Sequence, residues 1–166
     1  MLVPTTDLED AIAAAKEWGP ATLAGAPGIF AELAGWPHLR KRSLRSLRSC
    51  VSGLVDLPAE LAERFQAKVG APVANSYGLA ECAGLALMNP LSATGRRSTA
   101  GLPLPSTDIV IVDEQEPSRI LPVGSAGELL VRGPQVFAGY WNNDQDTGAT
   151  LRNGWLRTGD IAVMNL

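Results

Sequence analysis

Three short apolar runs, each closed by a glycine-bearing turn and separated from the next by a helical segment, constrain this chain more than any other feature. Ala21-Thr22-Leu23-Ala24 ends at Gly25-Ala26-Pro27-Gly28, Ser49-Cys50-Val51-Ser52 ends at Gly53, and Ala71 to Ala74 runs through Asn75-Ser76-Tyr77 to Gly78. Ile29, Phe30 and Leu33 carry a helix after the first run. Pro58 opens another, with apolar positions Leu61 and Phe65 and a stop at Gly70. Strands joined through helices must run in the same direction, so the alternation predicts parallel pairing with crossover helices. Ligands of such sheets gather beyond the carboxyl ends of the strands. Gly25, Gly53 and Tyr77 all fall at such ends, so a binding crevice is expected there.

Upstream, Thr6-Asp7-Leu8-Glu9 has the form of a capping box, and Leu8, Ile12 and Ala15 repeat at helical spacing, predicting a helix from about Asp7 to Trp18. After Pro90 the texture changes. Gly95 to Ser106 is rich in Gly, Pro, Ser and Thr, Asp108 to Asp113 and Leu129 to Val131 read as strands, Asn142 to Thr150 as a short helix, and Trp155 to Val163 as strand again. The predicted fold is therefore α/β, a parallel β-α-β segment over residues 1–95 followed by an antiparallel, barrel-like β subdomain over 96–166.

With 14 basic against 17 acidic residues, the chain offers no electrostatic case for nucleic acid. Neither the start of the chain nor any later apolar stretch signals export or membrane insertion, so a cytoplasmic location is expected. Cys50, Cys82 and the single His38 are too scattered for a zinc site or a Cys-His nucleophile, which leaves buried thiols and a turn histidine. The basic run Arg40-Lys41-Arg42 with Arg45 and Arg48 reads as a solvated helix face, its sharper alternative being peripheral contact with anionic lipid or cofactor phosphates.

Tyr77-Gly78-Leu79-Ala80-Glu81 puts an aromatic ring and an acid at a strand end, a pattern that by itself also fits a surface turn with a solvated carboxylate. It is followed in order by Gly127-Glu128-Leu129-Leu130-Val131-Arg132-Gly133-Pro134, by Gly139-Tyr140-Trp141, and by Gly154-Trp155-Leu156-Arg157-Thr158-Gly159-Asp160. In these four ordered motifs the chain resembles the adenylate-forming superfamily, within it the acyl-CoA synthetases, and most closely the long-chain fatty-acid–CoA ligases. The resemblance runs from about Leu23 to the last residue.

The resemblance implies ATP, Mg²⁺ and coenzyme A as cofactors and a fatty acid as substrate, converted first to acyl-AMP and pyrophosphate and then to acyl-CoA. Negative charge gathers on the α-phosphate in such a reaction, which calls for a cation and fixed donors. Glu81 is the implied catalytic residue and Mg²⁺ ligand, since one carboxylate suffices for an ion that keeps several waters. Tyr77 is implied to stack on adenine, Ser76 and Gly78 to present backbone groups to it, and Gly53 to lie on the adenine-side loop. Asp160, read as a buried carboxylate, would accept from both ribose hydroxyls, against the plainer reading of a turn-forming Asp. Gly25 and Phe30 would wall the acyl pocket. Two positions depart from the family pattern: Ala80 stands where a threonine serves the α-phosphate, and Gly53-Leu54-Val55-Asp56 replaces a Gly-Gly-Ala-Pro loop. The family's phosphate loop and lysine-bearing C-terminal domain have no match, so the chain reads as part of a longer parent enzyme and as inactive alone. Two alternatives stay open: a non-catalytic nucleotide- or acyl-binding module, and an adenylating domain for another carboxylic acid.

Overall fold

The computed structural model describes residues 7–39, 44–53, 55–91 and 99–165, which fall into two compact units. The first comprises Met1–Tyr77 and Met88–Leu102, the second Gly78–Leu87 and Pro103–Leu166.

In the first unit, helix α1 (Leu8–Trp18) starts at Asp7, whose carboxylate accepts the Glu9 N–H at 2.7 Å, and stops at Gly19 with φ 60°. Asp7 is thus the cap, one residue after the Thr6 expected from the capping-box pattern, and Thr6 itself lies outside the described residues. Strands β1 (Thr22–Gly25), β2 (Ser49–Ser52) and β3 (Val73–Tyr77) alternate with helices α2 (Pro27–Gly35) and α3 (Ala59–Val69). They pair in parallel in the order β1-β2-β3, with Leu23 opposite Cys50 and Cys50 opposite Val73. At their carboxyl ends Gly25 faces Ser52, and Ser52 faces Asn75. Met88 and Leu102, in two-residue strands β4 (Leu87–Met88) and β5 (Leu102–Pro103), belong to the same sheet.

The helices pack by apolar stripe. Phe30 of α2 and Phe65 of α3 are both fully buried and meet edge to face, with ring centroids 5.1 Å apart. Lys68 reinforces this packing from the end of α3, its ammonium donating to the carbonyls of Ala34 (2.9 Å) and Trp36 at the end of α2. Of the basic run, Arg45 and Arg48 are exposed beside the buried Leu44, and residues 40–42 lie outside the described set.

The second unit is built on a four-stranded antiparallel sheet of order β6-β7-β9-β8: β6 (Asp108–Val112), β7 (Ala126–Arg132), β8 (Leu151–Arg152) and β9 (Trp155–Val163). Helix α4 (Asp144–Thr150) precedes the β8–β9 hairpin, whose turn residues Asn153 and Gly154 both take positive φ, as a tight hairpin requires. Strand β7 is central and longer than its apolar run predicts, because Glu128 is carried inside it at 5% exposure. Val131 pairs with Leu156, both fully buried, and these two anchor the sheet. Among the described residues no helix is long and apolar enough to cross a membrane.

Candidate functional site

The pentapeptide straddles the two units. Tyr77 closes β3, half-buried, and Gly78 opens the second unit. Gly78 has to be glycine: a Cβ there would collide with the Gly84 carbonyl, because the chain doubles back at once. Ala80–Cys82 forms one 3₁₀ turn, closed by the Gly84 N–H donating to the Leu79 carbonyl at 2.9 Å. Buried Cys82 pins this turn, its sulfur receiving the Leu79 N–H at 3.1 Å. Glu81 is thereby fixed at the backbone with its side chain half-buried, while Ala80 is exposed and offers no hydroxyl.

Glu81 lines a cleft of about 320 Å³ within the second unit, together with Glu128, Tyr140, Arg157, Thr158 and Gly159. Its Oε1 accepts the Tyr140 O–H at 2.7 Å, and its carbonyl accepts the Phe137 N–H at 2.8 Å. The Glu81 carboxylate in turn holds the Tyr140 phenol above its ordinary pKa.

The opposite wall comes from a defect in the β7–β9 ladder. The register shifts between Glu128 and Leu130, and Gly159 takes φ +73°, so Thr158-Gly159-Asp160 leaves regular strand geometry. Glu128 holds the irregularity: its carboxylate accepts from Arg157 Nη2 (2.6 Å) and Nε (3.1 Å) and from the Gly159 N–H (3.2 Å). Thr158 Oγ1 donates to the Leu129 carbonyl at 2.7 Å and accepts the Asp160 N–H at 3.1 Å. Asp160 itself is exposed, which corrects the expectation of a buried carboxylate: the bulge that frees it from the ladder also turns it to solvent.

The remaining candidates lie in the first unit. Ser76 Oγ donates to the Ser52 carbonyl at 2.8 Å, and a Cβ on Gly53 would stand 2.8 Å from that hydroxyl, so Gly53 makes room for the β2–β3 tie. Gly25 admits Ile29, whose Cγ2 would lie 2.7 Å from a Cβ. Phe30 is expected to wall the acyl pocket, and the structure shows it in the core of the first unit. Its ring is fully enclosed in the α2–α3 core, where helix packing claims it. Leu54 lies outside the described residues.

Three residues that the sequence reading gave no role stand out. Asn75, buried at the end of β3, donates from Nδ2 to Asp56 at 2.5 Å, while its Oδ1 and the neighbouring Ser52 Oγ are buried with no hydrogen-bond partner among the described residues. Tyr140 sits in a recognised motif, yet nothing in sequence distinguishes it from Trp141, which is 98% exposed. Glu128 sits in another motif and reads there as one more surface charge. Among the described residues no three His, Cys, Asp or Glu side chains gather into a metal cluster.

The family model described as AMP-binding enzyme matches residues 1–141. The long-chain-fatty-acid–CoA ligase of Bacillus subtilis is 35% identical over 165 residues, covering 99% of this chain and 29% of that protein. A feruloyl-CoA synthase from Amycolatopsis is 33% identical, over 85% of this chain and 28% of its own length. The crystal structure of ATP-bound MatB from Rhodopseudomonas palustris superposes with a TM-score of 0.86 at 27% identity, over 99% of this chain and 32% of that one. The chain therefore spans less than a third of the length of these relatives.

Proposed function

This chain belongs to the AMP-binding enzyme family, and from that premise we propose that its parent protein is an AMP-forming acid–thiol ligase. The reaction joins a carboxylic acid to ATP, releasing pyrophosphate, and then moves the acyl group to the thiol of coenzyme A. A fatty acid is the proposed substrate, in keeping with the name of the Bacillus relative. The observation that carries the proposal is that Glu81 and Thr158-Gly159, far apart in sequence, line one cleft.

Glu81 is the proposed catalytic residue and Mg²⁺ ligand. Two carboxylates line the cleft, but Glu128 is compensated by the Arg157 guanidinium, whereas the partner of Glu81 is a neutral phenol. Negative charge left without a cationic partner among the described residues suits a hard cation that needs few protein donors. When bound, Mg²⁺ supplies charge neutralisation at the phosphates. Asp160, exposed beside the bulge, is proposed to accept from the ribose hydroxyls. Tyr77 is proposed to stack on adenine, Ser76 and Gly78 to meet it through the backbone, and Asn75 Oδ1, without a partner among the described residues, to accept from a base amine. Gly53 keeps the adenine-side loop low, and Ala80 borders the phosphates without donating. Gly25 remains the acyl-pocket candidate, with Phe30 supporting it only from within the core. Coenzyme A takes the acyl group in the parent, and the two free, buried thiols, Cys50 and Cys82, support a reducing, cytoplasmic setting. Arg45 and Arg48 leave peripheral contact with anionic lipid as part of the proposal.

The second reading is a non-catalytic nucleotide- or acyl-binding module. It is favoured by Ala80, since a lost donor to developing charge costs roughly 2.7–4 kcal/mol. Exchange of labelled pyrophosphate into ATP by the full-length parent separates the two. Acid-dependent exchange, lost in Glu81→Ala, is expected with saturated fatty acids, and exchange with aromatic acids alone would reassign the substrate. Absence of exchange with every acid, alongside retained ATP binding, would replace the ligase with the module.

A further inference from the structure

We infer that Tyr140 is a positioning residue for Glu81, its phenol fixing the carboxylate in the orientation in which it receives a cation. The inference rests on the assignment of Glu81 to Mg²⁺ proposed above. Glu81 is gripped twice by one short stretch of chain: the Tyr140 O–H donates to Oε1 at 2.7 Å, and the Phe137 N–H donates to the Glu81 carbonyl at 2.8 Å. The Phe137 and Tyr140 rings meet edge to face with centroids 4.8 Å apart, so the phenol is held against its own loop. That loop is in turn seated on α4. The Tyr140 N–H donates to Thr147 Oγ1 at 2.9 Å, Thr147 Oγ1 donates to the Asn143 carbonyl at 2.8 Å, and a Cβ on Gly139 would press on Thr147 Cγ2 at 2.6 Å. A continuous chain of contacts thus runs from α4 through Tyr140 to the Glu81 carboxylate.

The choice of a phenol follows from what the carboxylate has to do. A carboxylate offers about four acceptor positions, so one donated O–H removes rotational freedom and leaves the others open to a metal. A guanidinium in the same place would neutralise the charge the cation needs, as Arg157 does for Glu128. A phenol, with an ordinary pKa of about 10, is a donor throughout the neutral range. Partners of this kind shift metal affinity by roughly 10- to 100-fold. Tyr140 is 37% exposed, which places its effect near the lower figure.

The test combines two measurements on wild type, Tyr140→Phe and Glu81→Gln. In the full-length parent, the Mg²⁺ concentration giving half-maximal pyrophosphate exchange is compared with that for ATP at saturating Mg²⁺. Tyr140→Phe should raise the first roughly tenfold and move the second less than twofold. In the 166-residue chain, which has two tyrosines, ¹³Cζ-labelled tyrosine NMR reads the contact without turnover. Glu81→Gln should displace the Tyr140 resonance and leave that of Tyr77 in place, and unmoved amide resonances of Val131 and Leu156, paired in the sheet of the second unit, certify that Tyr140→Phe folds. If Tyr140→Phe lowers turnover with the Mg²⁺ dependence unchanged, Tyr140 is only structural and the inference is overturned. A Tyr140 resonance indifferent to Glu81→Gln overturns it as well. If Glu81→Gln itself leaves the Mg²⁺ dependence intact, the metal role of Glu81 fails first, which the exchange data display separately.

Discussion

The Glu128–Arg157 pair predicts an asymmetry that can be worked out from burial alone. The Glu128 side chain is 7% exposed and that of Arg157 30% exposed, and they are joined by two short N–H···O bonds, with the Gly159 N–H on the same carboxylate. Removing one member of a buried pair costs about 3–5 kcal/mol, because the survivor is left charged and desolvated. Arg157→Met leaves the more buried partner stranded, so its cost belongs near the upper part of that range, discounted to about 3–4 kcal/mol for the solvent that reaches Arg157. Glu128→Gln strands a guanidinium that can turn to water and keeps an oxygen for the Gly159 N–H, so about 1–2 kcal/mol is expected, as for loss of a charge-assisted hydrogen bond. The assay is native-state hydrogen exchange of the Val131 and Leu156 amides, whose residues pair at the centre of the sheet, alongside urea unfolding followed on resonances of β7 and β9. With urea slopes of about 1–3 kcal/mol per M, Arg157→Met should lose at least about 1 M in midpoint, and Glu128→Gln clearly less. Equal losses, or a larger loss for Glu128→Gln, would refute the argument that burial sets the cost.

Three further outcomes follow from the packing and the titrating groups. Phe65→Ala should destabilise the first unit by about 3–5 kcal/mol in thermal unfolding, because a fully buried ring is removed from its contact with Phe30. Gly78→Ala should abolish Mg²⁺-dependent exchange in the parent while leaving the β1–β3 amide resonances in place, since the added Cβ would meet the Gly84 carbonyl and displace the Glu81 turn. Burial pushes the Cys50 thiol up to about 11, so it should resist iodoacetamide at pH 8 in the native chain and react once urea exposes it. Native alkylation at the rate of a free thiol would contradict the burial.

The parallel half of the fold was legible because its signals are local. Gly25, Gly53, Gly70 and Gly78 punctuate runs whose periodicity changes between them, and each boundary fell within a residue or two of the observed element. The antiparallel half was legible only in its apolar strands. Strand β7 read as Leu129 to Val131, because Gly127 and Glu128 look like turn and surface residues, and their place in a central strand depends on partners 29 and 31 residues away in sequence. Separation in sequence likewise hid the packing of Phe30. An aromatic two residues past a glycine turn is as compatible with a pocket wall as with a core, and only Phe65 on the neighbouring helix decides between them.

The site divides along the same line. Glu81 and Thr158-Gly159-Asp160 could be picked out as motifs, yet what makes them usable is supplied by residues with no local signature. Tyr140 is 59 residues from the carboxylate it holds, and Glu128 reaches across the sheet to the backbone that presents Asp160. Each supporting group does opposite electrostatic work: Tyr140 orients a carboxylate and leaves its charge available, whereas Arg157 cancels the charge of Glu128, so that carboxylate serves the bulge alone. In the proposed assignment the charge of their partners divides the two acids of the cleft, Glu81 to ligand binding and Glu128 to scaffolding. Exchanging those partners should exchange the roles. Tyr140→Arg is expected to lower the Mg²⁺ response of the parent well beyond Tyr140→Phe, because it adds a competing cation beside Glu81 instead of merely removing a donor. A Tyr140→Arg protein with the same Mg²⁺ dependence as Tyr140→Phe would mean that the free charge on Glu81 is not what the cation reads.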